Sequence, residues 1–447
     1  MKRLVLALLL AAAAPATAQT PAPTQPRSPG PAPDYNAGGL PRTPTYGTVE
    51  GQPIDARVPE KKTDTRQFPQ QTRAPYHKVT AYKVTPITDK LRLPWSIAFL
   101  PDGKMLVTEK YPGQMRIVSP DGTLAEPLNG LAMLAPAKKL GLLDVVLAPG
   151  FAKSKRIYFS FFENLGDGYS NTYLAHGVLD QAANTVHDVT VIYRGVPALP
   201  EKNFSAKQGG RIVFAKDGSL FMTVGDRDGN NRHDYDEQLA QKLDNDVGKI
   251  IHLTAEGSPA PNNPFLNTPG VRPEIWAYGI RSPQGLVLAP DGTLWETEHG
   301  PRGGDELNRI QKGKNYGWPI ITHGIDYPGG PIADGLAAQA GMEQPVYYWD
   351  PVIAPSGLAY YNGKLFPKWR GNLLAGGLRG LGVYRLELKH GKVVAEEPLL
   401  SELKTRIRDV RVGPDGAVYV LTEQKALLKL TPAETPSAAN TKPATYR

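Results

Sequence analysis

Four arginines stand at the edges of short polar loops, beside segments whose apolar residues alternate: Arg281, Arg379, Arg406 and Arg408. A guanidinium group is always charged and binds carboxylates through paired hydrogen bonds. Any one of these arginines alone is better explained by a surface salt bridge. Several that converge would instead bind a polyanion. Arg406 and Arg408 flank one residue just before a predicted strand, so their side chains lie on one face.

A second loop offers oxygen ligands for a hard cation. Gly300-Pro301 stands beside Asp305, Glu306 and Asn308. Turn carbonyls combined with carboxylates are the ligands that calcium prefers. A tight turn without metal, rich in glycine because of positive φ angles, fits the same residues. The spacing therefore leaves a calcium site and a plain turn both open.

Several other kinds of chemistry are excluded or not expected. The sequence contains no Gly-x-Ser-x-Gly elbow, no His-Glu-x-x-His, no Walker loop, and no Gly-x-Gly-x-x-Gly at a strand–helix junction for a nicotinamide. It has no cysteine, and its 8 histidines show no metal-ligand spacing, so zinc and iron–sulfur centres are not expected. The net charge of +8 is spread along the chain, so nucleic-acid binding is not expected either.

The loops are held by a hairpin that the chain repeats six times. Each copy is an alternating apolar strand, a tight turn that is usually Asp-Gly, and a second β-rich strand. The copies begin at Ile97, Val145, Ile212, Leu286, Leu358 and Val410. A β-sandwich is the alternative, but six copies of one pattern favour an all-β, six-bladed β-propeller. Its long inter-strand loops would form a site at one end of the central channel. One short helix is predicted over 236–243.

The two ends of the chain differ in composition from its middle. Residues 1–18 combine Lys2-Arg3 with a short apolar run and Ala16-Thr17-Ala18, which predicts a signal peptide cleaved after Ala18 and a periplasmic or secreted protein. Residues 19–75 are rich in Pro, Gly, Thr and Gln, which predicts a disordered linker. The propeller is expected over 76–431 and a flexible tail over 432–447. No other stretch is long and apolar enough for a transmembrane segment.

A series of short motifs spans nearly all of residues 90–430. In chain order they are Gly141-Leu-Leu-Asp-Val145, Gly209-Gly-Arg-Ile-Val213, Gly248-Lys-Ile-Ile251, Asn263-Pro-Phe265, Arg281-Ser-Pro-Gln-Gly285, Glu298-His-Gly-Pro301, Asp305-Glu-Leu-Asn308, Asn315-Tyr-Gly-Trp-Pro319, Ala354-Pro-Ser-Gly357 and Arg406-Ile-Arg-Asp409. Taken together, this series resembles the soluble glucose/sorbosone (aldose sugar) dehydrogenase family that uses pyrroloquinoline quinone (PQQ). The resemblance implies a six-bladed propeller, in agreement with the repeat count.

The resemblance also implies a cofactor site. PQQ carries three carboxylates and would lie over the channel, with calcium bridging its ring to backbone carbonyls. Arg406 and Arg408 would hold cofactor carboxylates, and Arg379 would stand where the family has a lysine. Gly300 and Pro301 would offer their carbonyl oxygens to the active-site calcium.

The remaining implied roles concern a second metal and the reaction. Glu306 and Tyr316 match the positions of a second, structural calcium, and Arg281 would lie over the quinone near the substrate oxygen. A general base would take the proton of the anomeric hydroxyl of a sugar while hydride passes to the quinone. The lactone would leave, and electrons would pass to an external acceptor. A monomer or homodimer is expected.

The sequence departs from the family at four positions of this site. The family's catalytic histidine is Lys207 here, an expected glutamine is Lys139, an expected asparagine is Ser282, and an expected Thr or Ser is Val352. Lys139, Ser282 and Val352 are still expected beside the cofactor. Lys207 is the candidate base, with Arg281 as its catalytic partner.

These departures keep other interpretations open. A lysine acts as a base only where burial or nearby positive charge favours its neutral form. Otherwise Lys207 and Lys139 would simply bind an anion, and the protein would be a non-catalytic propeller for acidic sugars or envelope glycans. A third interpretation is a calcium-dependent hydrolase or lyase of acidic carbohydrate, with Lys207 as its base. His233 is a substitute candidate for the base.

Overall fold

The structure, a computed structural model, describes residues 46–131, 140–164, 169–200, 207–227 and 238–433. The predicted signal peptide and all but the first two residues of the predicted tail lie outside these ranges. The helical elements described are α1 (Phe151–Ser154) and two 3₁₀ turns, Pro367–Trp369 and Ser401–Leu403. The strands are β1 (Tyr82–Thr88), β2 (Pro94–Phe99), β3 (Met105–Glu109), β4 (Gln114–Val118), β5 (Leu140–Leu147), β6 (Arg156–Asn164), β7 (Tyr169–Asp180), β8 (Thr185–Arg194), β9 (Leu199–Pro200), β10 (Gly209–Phe214), β11 (Leu220–Val224), β12 (Lys249–Leu253), β13 (Ile275–Tyr278), β14 (Pro283–Leu288), β15 (Leu294–Glu298), β16 (Asp305–Ile310), β17 (Tyr347–Trp349), β18 (Pro355–Tyr360), β19 (Leu373–Gly377), β20 (Gly382–Lys389), β21 (Lys392–Leu399), β22 (Ile407–Val412), β23 (Val418–Thr422) and β24 (Leu427–Pro432).

These strands form six antiparallel sheets arranged as a ring. In chain order the sheets are β2-β3-β4, β5-β6-β7-β8 with β9 on β7, β10 to β13, β14 to β17, β18 to β21, and β22-β23-β24-β1. The first strand of each of these sheets contacts its counterpart in the next sheet, and β22 contacts β2 to close the ring. The last sheet takes its fourth strand, β1, from before the first, which ties the two ends of the propeller together. The predicted six-bladed β-propeller is confirmed.

The Asp-Gly turns behave as the sequence predicts. The glycines of four turns have φ angles between 81° and 90°: Gly103, Gly218, Gly292 and Gly416. This is the left-handed region, which glycine enters without steric cost. The preceding aspartate closes the turn, as where Asp291 Oδ1 accepts a hydrogen bond of 2.9 Å from the backbone N–H of Thr293.

Every inner strand carries an irregularity near its beginning. The pairing of the inner strand with the second strand of its blade shifts register in all six blades, as it does between Gly209 and Ile212 and between Ile407 and Asp409. A bulge of this kind releases one side chain from the strict alternation of a strand. All six shifts lie at the end of the channel where the inner strands begin. At this end of the channel, the direction of a side chain therefore need not follow the alternation of its strand.

Residues 46–75 lie against the propeller. Ile54 and Ala74 are only 3% and 4% exposed, and they pack into an apolar cluster with Trp349. The carboxylate of Asp350 accepts hydrogen bonds from the backbone N–H groups of Glu60 (2.8 Å) and Lys61 (3.1 Å). The prediction of a disordered linker is therefore wrong for residues 46–75, because distant blades supply the partners that the segment lacks locally. We call residues 46–75 the N-terminal strap.

The strap should contribute measurably to stability. Replacing Ile54 by Ala removes a buried side chain, so we expect a loss of about 2–4 kcal/mol in the free energy of unfolding. Val58, in the same strap but 78% exposed, is the matched control, and Val58→Ala should change stability by less than about 0.5 kcal/mol. Chemical denaturation measures both. Equal effects of the two substitutions would mean that the strap is not docked in solution.

Helical structure is scarcer than the sequence predicts. Residues 238–243 form turns and bends instead of the predicted helix, while 236 and 237 lie outside the described ranges. No helix in the described part of the chain is long and apolar enough to cross a membrane.

Candidate active site

The polar loops meet at one end of the channel. Because the first two strands of each blade are antiparallel, residues before the first strand and residues after the second lie at the same end. Those before an inner strand include Lys207, Arg281, Ala354 and Arg406. Those after a second strand include Asp226, His299, Arg379 and Glu423.

Lys207 is paired with an acidic residue. It stands just before β10 with a φ of 49°, and its ammonium donates a hydrogen bond of 3.2 Å to Asp226 Oδ2. The same oxygen accepts a hydrogen bond of 2.9 Å from the indole N–H of Trp318. The Lys207 and Asp226 side chains are 12% and 7% exposed. In this arrangement Lys207 is a hydrogen-bond donor, not a proton acceptor.

Arg281 also lies close to this indole. Its guanidinium carbon is 5.1 Å from the ring centroid of Trp318, and Lys207 Nζ is 5.9 Å from it. Arg281 Nη1 donates to the carbonyls of His299 (2.9 Å) and Gly300 (2.7 Å). The structure thus brings together Lys207 and Arg281, the two predicted catalytic residues, around one aromatic ring.

The loop of the predicted active-site calcium is tightly braced. The backbone N–H of Gly300 donates to Asp305 Oδ1 at 2.9 Å. Asp305 Oδ2 accepts from the backbone N–H groups of Ile353 (2.8 Å) and Ala354 (2.6 Å). Burial raises the pKa of Asp305 to about 7, although these three hydrogen bonds act to lower it. Because the Gly300 carbonyl already accepts from Arg281, calcium at Gly300 and Pro301 would have to share or displace that contact.

Arg406 and Arg408 are bridged by one carboxylate. Glu423, just after β23, forms ion pairs with Arg406 and with Arg408. A further N–H of Arg406, on Nη1, donates to the carbonyl of Leu378 at 3.2 Å, next to Arg379. The guanidinium of Arg379 forms no ion pair with any residue of the described ranges. Arg406 and Arg408 are therefore held together by Glu423, an acidic partner that the sequence did not predict, and Arg406 also contacts the residue before Arg379.

His299 shows that the arginines from different blades converge. Burial lowers the pKa of His299 to about 3, and the charges of Arg281, Arg408 and Arg406 act in the same direction. Its Nε2 lies 2.7 Å from the carbonyl oxygen of Pro355, to which it donates. One neutral imidazole is thus subject to the positive potential of three arginines from two different blades.

The other predicted cofactor residues are placed less directly. Ser282 is buried, and its backbone N–H donates to Glu298 Oε2 at 3.3 Å, while its hydroxyl accepts from Gln284 at 3.5 Å. Val352 is partly exposed in the loop before β18. Lys139 and His233 lie outside the described residues.

A cluster of acidic side chains lies between β15 and β16. The amide of Asn308 donates to Glu296 (3.2 Å), Glu298 (3.2 Å) and Glu306 (3.3 Å). Burial, and then the charge of Glu298, raises the pKa values of Glu296 and Glu306 well above their usual range. Glu296 Oε1 and Asn308 Oδ1 are buried and have no hydrogen-bond partner among the described residues. We call Glu296, Glu298, Glu306 and Asn308 the acidic cluster.

The acidic cluster fits a cation in its chemistry. Its buried oxygens would be satisfied by a positive charge, and oxygen is the ligand type that calcium requires. Within the described ranges, no three His, Asp or Glu side chains are arranged to hold a metal by themselves. A calcium ion here would therefore need amide, backbone or water oxygens as well. The predicted ligand Glu306 belongs to this cluster. Predicted Tyr316, also buried, lies close enough to Glu296 for that charge to act on its hydroxyl.

A buried ion-pair network crosses the channel below the loops. Arg211 is 1% exposed and pairs with Asp144 (3.5 Å) and Asp409 (3.0 Å), and its guanidinium carbon lies 3.9 Å from the ring centroid of Trp95. Arg411 pairs with the same two aspartates, at 2.7 Å and 3.0 Å. The sequence does not predict this network, although Asp144, Arg211 and Asp409 stand inside three of the motifs described above. They tie inner strands together and stand beside the site residues, as where Arg211 donates to the carbonyl of Arg408 at 3.2 Å.

The similarity to known sequences lies in the propeller. The model of the glucose/sorbosone dehydrogenase family matches residues 91–429. The aldose sugar dehydrogenase YliI of Escherichia coli is 42% identical over 350 residues, which cover 77% of this chain and 92% of that protein. Quinoprotein glucose dehydrogenase B of Acinetobacter calcoaceticus is 26% identical over 410 residues, covering 75% and 84% of the two chains. The N-terminal strap precedes the family match.

Solved structures agree with the fold. The apo form of the soluble aldose sugar dehydrogenase of Escherichia coli superposes with a TM-score of 0.72 at 42% identity, covering 79% of this chain and all (100%) of that one. The PQQ-bound form of the aldose sugar dehydrogenase of Streptomyces coelicolor gives a TM-score of 0.63 at 26% identity, covering 79% and 99% of the two chains.

Proposed function

The chain belongs to the glucose/sorbosone dehydrogenase family, and on that premise we propose that it oxidises an aldose-type sugar to its lactone with PQQ as its cofactor. When bound, PQQ supplies the two-electron acceptor for the hydride of the sugar. The observation that carries the proposal is the convergence of Arg281, Arg406 and Arg408 on His299. Several arginines close to one another at this end of the channel suit a cofactor with several carboxylates.

Each arginine has a distinct part in the proposal. Arg406 and Arg408 hold carboxylates, assisted by Arg379, whose side chain has no ion-pair partner among the described residues. Arg281 projects over Trp318 and stabilises negative charge that develops on oxygen during the reaction.

Two calcium sites belong to the proposal. Gly300 and Pro301 would hold one through their carbonyl oxygens, in a loop that Asp305 braces. Glu306 and Tyr316 would hold the other, beside the buried Oε1 of Glu296, which has no hydrogen-bond partner among the described residues. Calcium at Gly300 would polarise bound oxygen atoms as a Lewis acid.

Lys207 is the proposed base, and its ion pair limits it. The amine can take the proton of the anomeric hydroxyl only after it has given up the proton that it shares with Asp226. Asp226 and Trp318 fix the direction of the side chain. Asp226 accepts a hydrogen bond from the ammonium, and Arg281 lies close to the same indole.

The same ion pair favours a second function. If Lys207 keeps its proton, the site binds a polyanion without oxidising sugar, and the protein is a carbohydrate-binding propeller. The experiment that separates the two is reconstitution of purified protein with PQQ and calcium. A bound-quinone spectrum with dye reduction by aldoses supports the oxidoreductase. Binding without dye reduction supports the binding protein, and absence of quinone binding contradicts the cofactor assignment.

A further inference from the structure

Glu423 binds the two arginines that are expected to hold a ligand carboxylate. It follows β23, directly across the hairpin from Arg406, and its backbone N–H donates to the Arg406 carbonyl at 2.8 Å. One carboxylate oxygen pairs with Arg406 Nε. The other pairs with Arg408 Nη2 and lies 3.3 Å from Arg406 Nη2. Both oxygens are therefore engaged by the two arginines.

This carboxylate stays ionised over the whole physiological range. Burial acts to raise the pKa of Glu423, but the charges of Arg408 and Arg406 outweigh it and lower the pKa to about 2. The Glu423 side chain is 22% exposed and that of Arg408 is 11% exposed, so water screens the interaction only in part. The two positive charges thus already have one permanent negative partner.

The arginines keep donors for a second carboxylate. A guanidinium has five N–H groups. Among the described residues, Arg408 donates one of its five N–H groups, on Nη2, to Glu423. Arg406 donates to Leu378 as well as to Glu423, and its side chain is 46% exposed. A ligand carboxylate can therefore bind beside Glu423 without displacing it. The ligand carboxylate would then lie close to the negative charge of Glu423, at a position that is only partly exposed to water.

We infer that Glu423 is a positioning residue that holds Arg406 and Arg408 in place and, by repulsion, weakens the binding of polycarboxylate ligands at this end of the channel. The inference rests on the proposed function only in that PQQ is one such ligand. Two effects of Glu423 oppose each other. Holding the arginines favours binding because it limits their freedom, and repulsion disfavours binding. Repulsion dominates, because two carboxylates on one arginine pair interact strongly at the effective dielectric of a half-buried site.

The test compares four proteins for their affinity towards two probes. The proteins are the wild type, Glu423→Gln, which is neutral with the same shape, Glu423→Asp, which keeps the charge, and Glu402→Gln, an exposed control on a nearby turn. The probes are PQQ, followed by its absorbance, and benzene-1,3,5-tricarboxylate, followed by calorimetry. We expect Glu423→Gln to bind both probes about tenfold more tightly than the wild type. The other two variants should stay within about threefold.

The two probes test the inference separately from the proposed cofactor. Unchanged or weaker binding of the tricarboxylate to Glu423→Gln overturns the inference, as does failure of the tricarboxylate to bind any of the four proteins. If the tricarboxylate behaves as expected but PQQ binds none of them, the inference stands and the proposed cofactor is wrong. Circular dichroism checks folding. Should Glu423→Gln not fold, Glu423→Ala, which is also neutral, must show the same increase in affinity.

Discussion

Replacing Lys207 by His is expected to raise the rate of PQQ-dependent dye reduction with aldoses at least about a hundredfold, the contribution typical of a positioned general base. Asp226 would accept a hydrogen bond from one ring nitrogen and leave the other free to take a proton, whereas the lysine donates to Asp226. The backbone tolerates the exchange, because the φ of 49° at Lys207 lies in a region that histidine adopts more readily than most residues.

The matched control is Lys207→Met, which keeps the length of the side chain but has no proton acceptor. It should bind PQQ and show no more dye reduction than the wild type. A Lys207→His protein that binds PQQ but is no faster than Lys207→Met would show that the missing base is not what limits the reaction. Rates should be compared at saturating sugar, so that they report kcat.

Millimolar calcium is expected to raise the thermal midpoint of the wild-type protein by about 5–10 °C compared with a buffer that contains chelator. In the Glu296→Gln variant, calcium should raise the midpoint by less than half as much. The reason is the acidic cluster, where burial and repulsion between carboxylates disfavour the ionised forms of Glu296 and Glu306. A divalent cation would replace that repulsion by attraction.

Glu296→Gln is expected to change the stability of the protein in opposite directions without and with calcium. In chelator at pH 8, Glu296→Gln should be more stable than the wild type, because it removes one buried carboxylate that has no cation. In calcium the order should reverse. Glu126→Gln, at an exposed position, should behave like the wild type in both buffers. A variant at Glu296 that gains as much from calcium as the wild type does would show that the acidic cluster is not a calcium site.

The blades could be predicted from sequence because their signals are local. An alternating strand, an Asp-Gly turn and a second strand lie within about 15 residues, and six copies point to one architecture. The pairing at the far end of each hairpin could not be counted from the turn. Ile407 pairs with Thr422, so Glu423 stands opposite Arg406, but counting outwards from Gly416 puts Gln424 there because of the register shift between Ile407 and Asp409. The same count from Gly218 puts Arg227 opposite Lys207, because of the shift between Gly209 and Ile212.

Other features could not be predicted because they depend on distant partners. The polar, proline-rich composition of the strap resembles that of a disordered chain, and only Asp350 and the apolar cluster around Trp349 show where it docks. The channel network was hidden for a different reason. Strict alternation does not tell which side chain a bulged strand sends inwards, so Asp144 and Arg211 could not be paired from the sequence.

The strap also has a consequence for the order in which the protein is assembled. It belongs to the part of the chain that a ribosome makes first, yet its partners are made near the end. Tyr46 donates to the carbonyl of Gly380, 334 positions later, and β1 pairs with β24. The strap must therefore stay undocked until the fourth and fifth blades exist, and β1 until the sixth does. Nascent chains that stop before residue 350 should leave the strap open to proteases, and its protection marks the addition of the fifth blade.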